Sequence, residues 1–127
     1  MKLGKQIAIF IAIILFIVFL DIIFEQHFSV QKNKFEELVS KIQELILNKE
    51  NAKQDAVKLY DDWQDFEAKA AYYVEHNELE KVSSKVGLIK KTIEIDETDL
   101  TVEYLEEIKF LLDHIYDKDK LRLKNIF

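Results

Sequence analysis

The stretch AYYVEHNELEKV, residues 70–81, holds the densest group of side chains able to do chemistry. His76 stands between Glu75 and Glu78, Glu80 follows, and Tyr72 and Tyr73 precede it. A second imidazole, His114, lies beside Asp113 and near Asp117. Imidazole with carboxylate is a donor set that suits zinc, iron or manganese. The spacing argues against such a site. Carboxylate-bridged bundle sites use Glu-x-x-His on paired helices, and neither His76 nor His114 has an acidic residue three positions before it. A His-x-x-x-His pair is also missing. No metal and no cofactor is therefore expected. Catalysis by a tyrosine with His76 would need a convergent pocket, which sequence does not supply. The expected role of His76 is a capping or interhelical hydrogen bond.

Other signatures of enzymes are lacking. There is no cysteine, hence no thiolate nucleophile, disulfide or zinc–thiolate site. Gly4 and Gly87 are the only glycines, too few for a phosphate-binding loop. Ser83 and Ser84 sit inside an apolar helical seam and not on a strand-to-helix elbow. The formal charge of -6 argues against nucleic acid as a partner.

The elements that must position these residues are helical. The chain has no proline, so long helices meet few obstacles. Ala52, Ala56, Leu59, Trp63, Phe66, Ala70 and Tyr73 repeat at helical spacing, and so do Leu79, Val82, Val86, Ile89 and Ile93. The two seams do not share a phase, and the mismatch falls in VEHNE, residues 74–78. Either a continuous helix rotates its apolar face there, or the chain breaks, with Asn77 and Glu80 spaced as a capping box. Trp63 is expected to be a core anchor whose indole N–H finds a polar neighbour. Tyr72 and Tyr73 are adjacent, so one of them faces solvent or a groove.

Phe28, Phe35, Leu38, Val39, Ile42, Leu45 and Ile46 form an earlier stripe, and Val102, Leu105, Ile108, Leu112 and Ile115 a final one. NKEN (48–51) and IDETD (95–99) read as turns, with Asp96, Thr98 or Asp99 as a cap. Val57, Tyr60, Trp63 and Phe66 align with Val102, Leu105, Ile108 and Leu111 at an offset of 45, a faint helical-hairpin repeat. The expected fold class is all-α: a single N-terminal transmembrane helix, then an antiparallel bundle of three or four helices.

The transmembrane expectation rests on IAIFIAIILFIVFL, Ile7 to Leu20, fourteen uncharged apolar residues extended to Phe24 with only Asp21 intervening. The eighteen residues span about 27 Å as helix, close to a hydrocarbon core of about 30 Å. Twelve Ile, Leu, Phe and Val side chains favour insertion by roughly 4–7 kcal/mol, against at most about 3 kcal/mol for Asp21 near one end. Asp21 is read as a carboxylate at the outer interface; the alternative pairs it with a basic residue on another membrane helix. The exit, DIIFEQHF, lacks the small-residue pattern of a signal-peptide cleavage site. Lys2 and Lys5 predict a cytoplasmic N-terminus. The expected division is residues 1–27 as signal anchor and 28–127 as an extracytoplasmic helical domain. Residues 25–127 carry 23 acidic and 16 basic side chains, net -7.

EHNEL at 75–79, Trp63 upstream, the acidic turn before the last helix, DHIY at 113–116 and the ending LRLKNIF at 121–127 together resemble a family of small single-span proteins of Gram-positive spore-forming bacteria, catalogued as domain of unknown function 4363. The resemblance implies a membrane anchor, a helical domain, and encoding near a small integral membrane protein. It implies no catalytic residues.

Three functions stay in play. The first is a non-enzymatic, membrane-anchored accessory protein whose bundle binds an integral membrane protein, itself a monomer or weak homo-oligomer. The second is a division- or lysis-type membrane-anchored coiled coil. The third is a small extracytoplasmic enzyme or metal-binding domain. The residues expected to matter structurally or for interaction are Asp21, Trp63, Tyr72, Tyr73, His76, Asn77, Glu78 and His114.

Overall fold

The computed structural model describes the backbone of residues 2–126 and the side chains of residues 2–118, so the closing segment LRLKNIF, 121–127, lies outside the described side chains. Four helices follow in order: α1 (Lys2–Leu47), α2 (Lys53–Ala70), α3 (His76–Glu94) and α4 (Thr98–Ile126). The apolar run and the first bundle stripe form one helix of 46 residues, about 69 Å long at its ordinary rise.

Packing runs around a ring. α1 touches α2 and α4, and α3 touches α2 and α4; neither diagonal pair packs together among the described residues. With short turns between them, this is an antiparallel four-helix arrangement, the larger of the two expected bundles. The 45-residue echo holds where buried Trp63 matches buried Ile108 and exposed Val57 matches exposed Val102, but half-buried Tyr60 faces off against buried Leu105.

The seams legible in sequence become the core. Ala52, Ala56, Leu59, Trp63, Phe66 and Ala70 from α2 and its approach are buried, as are Leu79, Val82, Val86, Ile89 and Ile93 from α3. α1 contributes Phe28, Phe35, Val39 and Ile42, and α4 contributes Leu105, Ile108, Leu112 and Ile115. Val102 is the exception in the last stripe, 37% exposed beside the first turn of α4. An aromatic layer ties α1 to α2: the Phe35 ring lies 5.4 Å from both Trp63 and Phe66, and Phe28 lies 5.9 Å from Phe66.

Both turns at the far end of the bundle close in the same way. Lys49 takes a left-handed conformation (φ 58°), its N–H donating to Ile46 O, while Glu50 N–H donates to Leu45 O at 2.8 Å. Asp96 (φ 59°) repeats the pattern, with Asp96 N–H to Ile93 O and Glu97 N–H to Thr92 O. These are Schellman closures, usually built on glycine. Asp96 therefore ends α3 and does not cap α4. The left-handed geometry costs a β-carbon-bearing residue about 1–2 kcal/mol, and glycine's extra unfolded-state entropy recovers roughly 0.4–1 of that. Lys49→Gly is accordingly expected to stabilise the bundle by about 0.5–1 kcal/mol, read as a higher urea midpoint with an unchanged slope. Asp96→Gly should gain less, because aspartate tolerates this region better than lysine.

Residues 2–17 of α1 are exposed throughout, and none of the helix's most apolar stretch is covered by the bundle. Among the described residues α1 is the one helix long and apolar enough to cross a membrane, by length and composition. Contact with the bundle begins by Phe24, whose ring stacks on Tyr73 at 4.7 Å and 4°.

Candidate functional site

The phase mismatch in VEHNE resolves as a break. α2 stops at Ala70, residues 71–74 turn, and α3 starts at His76. Tyr73 N–H and Val74 N–H both donate to Ala70 O, at 2.9 and 2.8 Å, which closes the end of α2 without a side chain. The capping box expected from Asn77 and Glu80 is not formed. The N-cap position belongs to Glu75, which makes no side-chain capping bond, so Asn77 already lies inside the helix and is exposed.

His76 opens α3 on its outward side. Its side chain is 76% exposed, and Nε2 lies 3.1 Å from Glu80 Oε1, one turn along the same helix. The expected interhelical bond is made instead by another histidine. His27 Nδ1 and the Tyr73 hydroxyl are 2.7 Å apart, joining α1 to the turn after α2. The His27 ring also lies 5.7 Å from Phe66. Tyr72 points away, 86% exposed, so the adjacent tyrosines divide as expected between cluster and solvent. A groove of about 440 Å³ opens beside this cluster between α1 and α2, with His27 and Phe66 in its wall. Phe24 and His27 were not singled out from sequence. A signal was present for Phe24, which continues the Phe28–Phe35 stripe by one turn, hidden by the apolar run that ends there.

Two substitutions separate these histidine sites. Tyr73→Phe, which removes a part-buried interhelical hydrogen bond, should cost about 0.5–1.5 kcal/mol. His76→Ala should stay within roughly 0.5 kcal/mol of wild type, as exposed pairs contribute little. Denaturant midpoints of the two variants check the assignment.

Trp63 behaves as the sequence requires. It is 2% exposed, and its Nε1–H donates to Ser83 Oγ at 2.7 Å, across from α2 to α3. Asp21 is half-buried on α1 and forms no ion pair among the described residues.

Glu78 is the charged residue of this region that packs inward, 7% exposed. Its Oε2 makes no hydrogen bond, and the nearest cationic groups are distant: Lys118 at 3.6 Å and Lys81 at 3.8 Å from Oε1, His114 Nε2 at 3.9 Å from Oε2. His114 is half-exposed and stacks on the exposed Phe110 ring. Asp113, a proposed companion of His114, turns to Lys32 of α1 at 2.7 Å. Among the described residues no three His, Asp or Glu side chains converge in a metal-binding arrangement.

Lys32 is the strongest polar tie between α1 and α4. It pairs with Asp113 and with Glu36 at 3.1 Å, and lies 5.4 Å from the centre of the Tyr116 ring. Burial pulls its pKa down, but hydrogen bonds to Asp113 and Glu36 outweigh this and hold it above the usual 10.5. A folded-state pKa above the unfolded one gives stabilisation that is complete below the unfolded value and lost as pH rises through the folded one. The contribution is therefore constant across the neutral range.

A family model described as "Domain of unknown function (DUF4363)" matches residues 22–126. The match includes the EHNEL and DHIY segments and Trp63, and it begins two residues before Phe24, the first aromatic in contact with the bundle. No curated protein matches the chain, and no solved structure does.

Proposed function

We propose that this chain, which belongs to the DUF4363 family, is a non-enzymatic accessory protein that is anchored by α1 in the cell membrane and presents its bundle to an integral membrane partner on the outer face. The observation that carries the reading is the continuity of α1. One helix supplies an uncovered apolar surface over residues 2–17 and then four core side chains, Phe28, Phe35, Val39 and Ile42. Anchor and domain are thus one rigid element, and the bundle is held at a fixed height above the lipid. Confinement to the membrane plane raises local concentration, so a weak contact becomes effective. Lys2 and Lys5 favour a cytoplasmic N-terminus and an external bundle.

A division- or lysis-type coiled coil fits less well. α1 stops at Leu47 and the chain reverses so that α2 and α4 pack against it, and the heptad-like surface is consumed within the molecule.

Affinity isolation of full-length protein after crosslinking in intact cells tests the proposal. Recovery of one specific membrane protein in stoichiometric yield supports it; recovery of the chain alone counts against it. A reporter enzyme active only outside the cell, fused after Phe127, should be active, and activity of a cytoplasmic reporter alone would reverse the orientation.

A further inference from the structure

The end of the bundle farthest from the apolar half of α1 is built unlike the rest. The turn after Leu47 and the turn between α3 and α4 leave apolar side chains beside them uncovered. Leu47 is 81% exposed and Val102 37% exposed. Between them lies a groove of about 810 Å³, whose apolar wall includes Ile46, Leu47, Ile93 and Val102. This is within the size range of specific binding clefts. Three carboxylates stand along it, Glu50 from the first turn, Asp96 from the second and Glu106 from α4, together with Lys49 and Lys53.

Charge is concentrated here. Residues 43–53 and 93–106 contain eight acidic side chains and two basic ones, Lys49 and Lys53, a net of -6, equal to the formal charge of the whole chain. None of the eight carboxylates forms an ion pair among the described residues. Glu106 accepts a hydrogen bond from Gln43, whose own oxygen accepts from Lys109, so the nearest cation reaches Glu106 only through a neutral amide.

We propose that this groove binds a basic amphipathic helix carried by an external segment of the membrane partner. The inference rests on the proposed function and names its contact surface. An apolar floor in an end of the bundle with a net charge of -6 suits a helix whose apolar residues recur at i, i+3 or i+4 and i+7, with Lys or Arg on its flanks. The cations meet carboxylates that form no internal ion pair, which steers association and excludes acidic competitors. A second copy of the chain is the wrong occupant, since its own far end carries the same negative charge. The basic end of the same chain is wrong too, because α4 starts at the groove and runs away from it.

The test uses full-length protein in discs of zwitterionic lipid and a fluorescent probe peptide of about fourteen residues, four turns of helix, with leucine on one face and lysine elsewhere. A matched peptide with glutamate in place of lysine is the comparison. The lysine peptide is expected to bind at least about tenfold tighter, a difference of about 1.4 kcal/mol, and to weaken as salt rises. The double variant Glu50→Lys/Glu106→Lys, at two exposed positions, should erase that preference. Phe110→Glu, at an exposed aromatic outside the groove, should leave it intact. Equal binding of the two peptides, or unchanged preference in the double variant, overturns the proposal. In cells, a photo-crosslinker at Leu47 should capture the partner and one at Tyr72 should not. Capture from Tyr72 alone sinks the groove and leaves the accessory function standing. Capture from neither position sinks both, and a Leu47–Leu47 crosslink between two copies sinks the charge argument.

Discussion

Trp63→Ala is expected to remove about 3–5 kcal/mol from the bundle, the range for truncating a large buried aromatic. A domain of this size has a total margin of about 5–15 kcal/mol, so the loss consumes about a fifth of it or more. The size follows from position. Trp63 is among the largest fully buried side chains and meets Phe35 and Phe66 at ring distances of 5.4 and 5.5 Å. It also donates to Ser83 on α3, so one side chain holds α1, α2 and α3 together. Trp63→Phe keeps most of the volume and forfeits the hydrogen bond, and should cost less, about 1–2 kcal/mol. Ser83→Ala leaves the indole N–H without its acceptor and should cost about 1–3 kcal/mol. Urea denaturation followed by far-ultraviolet circular dichroism reads all three. A Trp63→Ala bundle that unfolds at the wild-type midpoint would show that the aromatic layer is not the joint between these helices.

The core was legible because it depends on periodicity alone. Every α2 and α3 seam residue from Ala52 to Ala70 and from Leu79 to Ile93 is buried, since a 3.6-residue repeat leaves no choice of face. The joint was legible as a location and not as a mechanism. Two seams out of phase require a break between them, but whether Asn77 caps the next helix depends on where the turn ends. The turn ends at Glu75, two positions earlier than a cap at Asn77 would need. His76 was read as a capping or interhelical histidine because it sits on the phase mismatch, among carboxylates. Those neighbours share its own helix, so they offer only the local Glu80 pair. His27 was hidden because it follows the apolar run and its partner Tyr73 is 46 residues away. The groove at Leu47 was equally hidden, because an exposed leucine after a helix end looks like any other last residue of a stripe until the turn geometry shows what fails to cover it.

Placing two charges in the uncovered part of α1 should abolish membrane integration while leaving the bundle intact. Ile13→Lys with Phe16→Lys costs about 2.5–3.5 kcal/mol per lysine near the centre of the span and forfeits about 0.3–0.6 for each apolar residue lost. The pair costs roughly 6–8 kcal/mol, more than the approximately 4–7 kcal/mol that the apolar run contributes. In the fold these residues are 52% and 60% exposed and touch no core side chain of the bundle, so the denaturant midpoint of the domain should not move. Phe24→Ala should do the reverse. It removes the ring stacked on Tyr73 and lowers bundle stability, but it lies at the end of the apolar run and should leave the chain in the membrane. The measurement is the fraction of each variant that stays with membranes through an alkaline carbonate wash, beside the intact mass of the wild-type chain. A removable leader and an anchor diverge here. An anchor leaves Phe24 and His27 attached to the bundle they pack against and gives an uncleaved mass. Recovery of wild-type protein shortened to near residue 28 would mean that the apolar run is a leader, and the membrane-anchored reading would fail with it.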